Sequence, residues 1–286
     1  MERTDNRFGR ELSLVRIGAG LLFFQHGAEK LWGFAGARIV GFNFHSLFGI
    51  AGPLEVIGGA LLVLGLFTRS TAFILSGEMA VAYFTRWAPR SFWPISNGGE
   101  EAVLFCFLFF WLVFAGPGPW SLEQVLHKSP GGPLQRKAGL WEGDVRTLLR
   151  AVYAFTFSLH GYRLMFGVLP ALAGRRGAPA MPLDALPQAF GALQILGGLL
   201  LFIGLFVRPT VVVLIGEMLA AYFYIAWPRS IWPIRNGGDE LLLYLLVFGC
   251  LAVSGAGRWS WDELRKSKSA SEGMSTAVGN GQTSHS

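Results

Sequence analysis

The chain has 286 residues, of which 52% are hydrophobic and only 15% are charged. Soluble domains carry about 25% charged residues, so this composition excludes an ordinary soluble domain and indicates a protein that lies in the lipid bilayer. The net charge of +6 does not point to a nucleic-acid partner, because Lys and Arg in a membrane chain concentrate in cytoplasmic loops and report orientation.

Eight apolar segments predict membrane spans, because about 20 apolar residues cross a bilayer core. In chain order they cover residues 12–34, 47–67, 70–88, 100–116, 147–168, 187–207, 209–227 and 239–255. The residues before the first segment are charged and polar, so we expect no cleaved signal peptide.

The second half of the chain repeats the first. GEMAVAYF at 77–84 returns as GEMLAAYF at 216–223, and PRSFWPISNGGEE at 89–101 returns as PRSIWPIRNGGDE at 228–240, both at an offset of 139 residues. A repeat of this length is a whole structural unit. Each copy holds four of the eight predicted spans.

The sequence therefore predicts an all-α membrane protein whose eight transmembrane helices form two parallel-repeat four-helix bundles. An even number of spans per copy starts both copies on the same side of the membrane. Lys and Arg are more frequent on the side of the N-terminus, which places both termini in the cytoplasm. The predicted parts are a first module at 1–127, a cytoplasmic linker at 128–145, a second module at 146–264 and a disordered tail at 265–286.

Two local patterns follow the fourth span of each module. Ser121 with Gln124 and Ser260 with Glu263 fit a capping box, so each predicts a short helix at the membrane surface. The two cysteines, Cys106 and Cys250, occupy non-equivalent positions in the repeat and are expected to be small packing residues.

Ionisable residues within the spans form the candidate site, because burying them in lipid is costly without a function or a partner. In the first module these candidates are His26, Glu29, Lys30, Glu55, Glu78, Arg86, Glu100 and Glu101. All except Glu78 are expected near the outer leaflet. A structural role is an alternative, since long charged side chains reach the headgroups and acids stabilise a first helical turn.

The second module contains fewer of these groups. It keeps His160 in place of His26 and Glu217 in place of Glu78, but it has Gln194 where the first module has Glu55. We therefore expect the first module to carry any chemistry, with His26, Glu55 and Glu78 as the catalytic candidates. A metal site of His26 with the carboxylates is an alternative, but no closely spaced His and Cys ligands support it, so no metal site is predicted.

Several motifs of the first module resemble the DoxX family of small four-helix bacterial membrane proteins. They are HGAEKL at 26–31, PLEVIGGALLVLGLFTR at 53–69, GEMAVAYF at 77–84, FWPISNGGE at 92–100 and GPGPWSLE at 116–123. The resemblance implies the bacterial cytoplasmic membrane, a four-helix bundle in each module and a link to quinone-dependent oxidation through a partner subunit.

Two functions remain open at this stage. As a membrane subunit of a quinone-linked oxidoreductase, the chain would use His26 and Glu55 for proton exchange, and a partner would supply the electrons because no electron-carrying motif is present. Alternatively, it is a non-enzymatic module that binds a lipid-like ligand or assembles partner proteins. Small-solute transport is a third and weaker hypothesis.

Overall fold

A computed structural model describes residues 2–36, 39, 45–126, 133–166 and 185–265, and these residues are all-helical with connecting turns. The first module contains a long first helix, three further long helices and two short ones: α1 (Glu2–Trp32), α2 (Leu47–Leu64), α3 (Thr68–Ala82), α4 (Pro94–Asn97), α5 (Glu100–Ala115) and α6 (Leu122–Leu126). A single π-helical turn, Tyr83–Trp87, extends α3.

The second module repeats this order. Its helices are α7 (Pro133–Phe166), α8 (Ala185–Ile203), α9 (Val207–Ala221), α10 (Pro233–Asn236) and α11 (Asp239–Ser254). A π-helical turn, Tyr222–Ala226, extends α9 as its counterpart extends α3. Residues 261–265 form a last helical turn.

The structure confirms that all eight predicted segments are helical, but two of them begin earlier than predicted. α1 begins at Glu2, within the polar N-terminal stretch. α7 begins at Pro133, so residues 133–145 of the predicted linker are helical; proline suits the first turn, where no backbone N–H is needed. The predicted disordered tail lies outside the described residues from 266 onward.

Length and composition alone identify one helix of the described residues, Val207–Ala226, as able to cross a membrane. Val207–Ala226 contains two charged residues, Arg208 and Glu217. The corresponding helix of the first module contains three, Arg69, Glu78 and Arg86, and is therefore less apolar. α5 and α11 have 16 residues each, or about 24 Å at 1.5 Å per residue, which is less than the ~30 Å of a bilayer core.

The helices of the two modules pack into one body. Within each module the first helix packs along the second, and the third packs along the last long helix. α1 contacts α11 much more extensively than it contacts α5, and α7 contacts α5 more extensively than α11. Each module therefore completes its packing with the other, and neither closes a four-helix bundle alone.

A buried arginine on the first helix of each module binds the turn that follows the last long helix of that module. Arg16 on α1 donates hydrogen bonds to the backbone carbonyls of Leu62 and Val63 at the end of α2 and of Pro117 and Trp120 after α5. In the second module, Arg150 binds the carbonyls of Ala256 and Trp259. These charges are satisfied by peptide dipoles, which gives Arg16 a structural role.

The short helix predicted after the fourth span of each module is also present. The hydroxyl of Ser121 accepts a bond from the backbone N–H of Gln124, and Ser260 does the same for Glu263, each at 3.2 Å. Both cysteines are free thiols.

Candidate functional site

A cavity of about 1000 Å³ lies between the two modules, with walls from α1, α2, α3 and α5 of the first and from α7, α8, α9 and α11 of the second. Aromatic rings and ionisable groups share these walls. Eight of the predicted candidates line it, namely His26, Lys30, Glu55, Glu78, Arg86, Glu100, Glu101 and His160. The other two, Glu29 and Glu217, lie outside the lining.

Local sequence explains how the acids reach the cavity. In the Asn-Gly-Gly turn before α5, the Asn97 side chain accepts a bond from the N–H of Gly99 at 2.7 Å, and Gly98 adopts φ 79°, a left-handed conformation that favours glycine. This turn starts α5 directly at Glu100 and Glu101. The second module builds the same turn from Asn236 before α11.

The π turn after α3 directs further groups toward the cavity. Its extra residue closes a bond from Ala88 N–H to the Tyr83 carbonyl at 2.9 Å, and such bulges are frequent at functional sites. Arg86 lies over the ring of Trp87, with its guanidinium carbon 5.1 Å from the ring centre. Both side chains line the cavity.

Three helices bring a first polar cluster together at His26, which we call cluster A. His26 Nε2 lies 2.7 Å from Oε1 of Glu101 on α5 and 3.7 Å from Oδ2 of Asp239 on α11. The edge of the imidazole faces Phe105, with ring centres 5.9 Å apart. Cluster A therefore consists of His26, Glu101 and Asp239, and it spans both modules.

A second cluster, cluster B, forms at the equivalent place around His160. His160 Nε2 lies 2.8 Å from Oε1 of Glu100, and the hydroxyl of Tyr244 donates to the same oxygen at 2.7 Å. Glu240 completes the cluster, and the three ligating atoms of His160, Glu100 and Glu240 lie within 4.8 Å of one another. Cluster B has a tyrosine hydroxyl where cluster A has Phe105.

Each cluster contains one acid from each module. Glu100 corresponds to Asp239 and Glu101 to Glu240 at the offset of 139 residues. Each histidine meets the second acid of its own module and the first acid of the other module. The polar site is thus shared across the module boundary.

The remaining polar groups differ between the modules. Lys30 forms an ion pair with Glu55, which is 2% exposed. In the second module Gln194 instead donates to Glu217 at 2.5 Å, so the acid at the position of Glu78 has a hydrogen-bond partner. Glu78 has no hydrogen-bond partner for its buried oxygens among the described residues, although we expected a mid-span acid to have one.

Sequence reasoning missed Tyr244, which links Glu100 to Thr156. The signal was present in the repeat, because Tyr244 stands where the first module has Phe105, a polar substitution at a buried position. The pairing of acids across modules had no sequence signal.

Comparison with known proteins places these features in a family. The sequence profile of DoxX matches residues 12–87 and 145–227, more than half of the chain. The chain belongs to the DoxX family. The two matched segments agree with a duplicated DoxX module, and the family is one of membrane-associated proteins.

One relative of this DoxX protein is an uncharacterized protein of Haemophilus influenzae. It is 41% identical over 125 residues, which cover 41% of this chain and 91% of that protein. That relative therefore has about the length of one module. No solved structure matches the chain.

Proposed function

We propose that the chain is a multi-pass protein of the bacterial cytoplasmic membrane, with eight spans in two parallel modules and both termini in the cytoplasm. The apolar outer surface supports this, because α2, α3, α8 and α9 expose large side chains such as Ile57, Phe73, Leu196 and Val212. Apolar surface this extensive is stable in lipid and costly in water. α5 and α11 lie inside, covered by both modules, so their short length is compatible with a central position.

Within that membrane, the proposed role is a membrane subunit of a quinone-linked oxidoreductase. The observation that carries the proposal is the cavity, which combines aromatic walls with buried groups that exchange protons. Its volume of about 1000 Å³ is at the upper end of the ~300–1000 Å³ found for small-molecule sites. Ile50, Ile74 and Trp87 supply apolar contacts. Lys30 and His26 supply donors for the ring carbonyls.

We assign hydrogen bonding and proton transfer to different residues of the cavity according to their positions. A quinone takes up two electrons and two protons when reduced, and a partner subunit is the proposed source of the electrons. Lys30, held by Glu55, donates a hydrogen bond to a carbonyl oxygen and favours negative charge on it. His26 and Glu55 supply one proton to each of the two quinone oxygens, and Glu78, whose oxygens have no partner among the described residues, takes part in the exchange from deeper in the membrane.

A quinone titration tests this assignment. The purified full-length chain in detergent is titrated with a short-chain ubiquinone analogue, and binding is followed by quenching of tryptophan fluorescence, since Trp87 lines the cavity. We expect Glu55→Gln to weaken binding about tenfold, or ~1.4 kcal/mol, because Lys30 loses its ionic partner. Glu29→Gln, which neutralises an acid of the same module outside the cavity lining, is the control and should bind like the wild type.

Equal affinity in the Glu55→Gln and wild-type proteins would show that the site assignment is wrong. Saturable binding that needs no intact Lys30–Glu55 pair would point to a different part of the cavity. The absence of any binding would remove the quinone proposal.

The second candidate is a non-enzymatic module that holds a lipid-like ligand or assembles partner proteins. It is favoured by the exposed aromatic residues Trp120, Trp259 and Trp261 in the turns after α5 and α11, which suit a membrane or protein surface. Purification under mild conditions separates the two roles. Partner proteins retained without any quinone or redox subunit would support the second candidate.

A further inference from the structure

Cluster A has the composition of a metal site. One imidazole nitrogen and two carboxylate oxygens converge there, and all three ligating atoms lie within 4.8 Å of one another. A ligand set of imidazole and carboxylates suits divalent first-row metals such as Mn²⁺, Fe²⁺ and Zn²⁺ better than Ca²⁺, which prefers oxygen ligands alone. Three protein ligands that leave positions open are the usual set in a catalytic site.

The distances fit a shared ion. Ligands bound at about 2.0–2.2 Å lie roughly 3.0–3.5 Å apart around a tetrahedral or octahedral metal. His26 Nε2 is 2.7 Å from Glu101 Oε1 and 3.7 Å from Asp239 Oδ2. Small side-chain adjustments therefore bring all three atoms into coordination distance.

Local charge favours a cation. Asp239 and Glu55 are 6% and 2% exposed, and both interact electrostatically with His26, as does Glu101. Glu78 adds a further acid on the cavity wall. Lys30 is the cation paired to Glu55 here, while Arg86 and Arg90 lie with exposed side chains around Trp87. The acids that surround His26 favour a cation at this place.

A second buried group points into the same space. Glu55 lines the cavity beside His26, and its second oxygen, Oε2, is buried without a hydrogen-bond partner among the described residues. The first oxygen already binds Lys30. Glu55 Oε2 is therefore placed to accept a hydrogen bond from water on an ion in cluster A, as outer carboxylates commonly do.

Cluster B has the same types of ligand, but its acids have additional partners within the protein. Its Glu100 oxygen already receives bonds from His160 and Tyr244. Arg163 acts electrostatically on both Glu100 and Glu240, where the first module has Glu29 at the matching position. A hydroxyl and a guanidinium there replace what a metal ion would supply.

We propose that His26, Glu101 and Asp239 bind one divalent transition-metal ion across the module boundary, whereas the equivalent set around His160 is a hydrogen-bonded structural cluster without an ion. The site does not depend on quinone binding. When the ion is bound to Nε2 of His26, the other ring nitrogen, Nδ1, is the one left to exchange a proton. Asp239, contributed by the second module, is essential to it.

Metal content tests the proposal directly. The untagged full-length chain is purified in detergent, stripped with a chelator, equilibrated with Co²⁺ or Mn²⁺ without quinone, and analysed for bound metal after gel filtration. We expect one ion per chain in the wild type and in His160→Ala. We expect loss of the ion in His26→Ala and in Asp239→Asn, with unchanged gel-filtration profiles.

Electron-spin-echo spectroscopy of the Mn²⁺ wild type adds a measurement that needs no variant. Coupling to one imidazole ¹⁴N is expected. No bound ion, no ¹⁴N coupling, two ions per chain, or an ion that survives Asp239→Asn would each overturn the proposal. Quinone titration of the metal-free chain stays informative in every one of these cases.

Discussion

The two modules share a scaffold but differ where they face the cavity. Both contain the buried arginine, the Asn-Gly-Gly turn and the π turn at matching positions. The first module places the Lys30–Glu55 ion pair at its side of the site, together with Glu78, whose buried oxygens have no hydrogen-bond partner among the described residues. The second replaces them with Leu164 and the Gln194–Glu217 pair.

This difference separates residues that hold the fold from residues that shape the site. Groups that bind backbone carbonyls or close a turn occur in both copies, because both copies need the same backbone path. The charged Lys30–Glu55 pair faces the cavity in the first module, whereas the second module has the neutral side chains Leu164 and Gln194 at these positions. The first module is therefore the half of the cavity that we expect to interact with a polar ligand.

Removing the buried arginines should cause the largest loss of unfolding free energy. The loss should be greater for the arginine of the first module than for that of the second. Arg16→Met leaves the carbonyls of four residues without their donor, which should cost about 3 kcal/mol in unfolding free energy. Arg150→Met removes two such bonds and should cost less. Reversible unfolding in mixed detergent measures both.

Equal losses for the two arginine variants would contradict this ranking. They would mean that the extra bonds of Arg16 to Leu62 and Val63 contribute no net stability.

The mid-span acids should respond in opposite ways. Glu217→Met leaves the buried amide of Gln194 unpaired, so we expect a loss of about 2 kcal/mol. Glu78→Met removes an acid that has no hydrogen-bond partner among the described residues and should leave stability unchanged or raise it. The same detergent unfolding experiment compares them. A larger loss for Glu78→Met than for Glu217→Met would contradict the claim that only Glu217 forms a stabilising hydrogen bond.

The smallest effect is expected for the hydroxyl that distinguishes cluster B. Tyr244→Phe makes this position identical to Phe105 and removes the bond to Glu100, for a cost of about 1 kcal/mol. Phe157→Leu, a nearby change without a polar group, controls for altered ring packing. A Tyr244→Phe protein as stable as the wild type would show that Thr156 and water replace the lost bond.

Much of the fold was predictable from the sequence. The repeat and the apolar segments located the long helices to within a few residues at most ends, because hydrophobic length and turn residues are local signals. The starts of α1 and α7 were missed because polar residues can continue a helix beyond an apolar segment.

The site was only partly predictable. Depth along the spans correctly grouped His26, Lys30, Glu55 and their neighbours, and the structure brings most of them to one cavity. The sequence did not show that His26 meets Asp239 or that α1 packs on α11, because two similar modules offer each helix two similar partners. Spacing in the chain also gave no sign of cluster A, since its three side chains come from three helices.

The most direct test of the cavity's role is native purification from the source membrane, with bound small molecules and proteins identified by mass spectrometry. We predict that quinone copurifies with the wild type and with Glu29→Gln, and that it is lost from Glu55→Gln. Quinone retained equally in all three proteins, or only phospholipid in the wild type, would contradict the claim that the first module holds a quinone in this cavity.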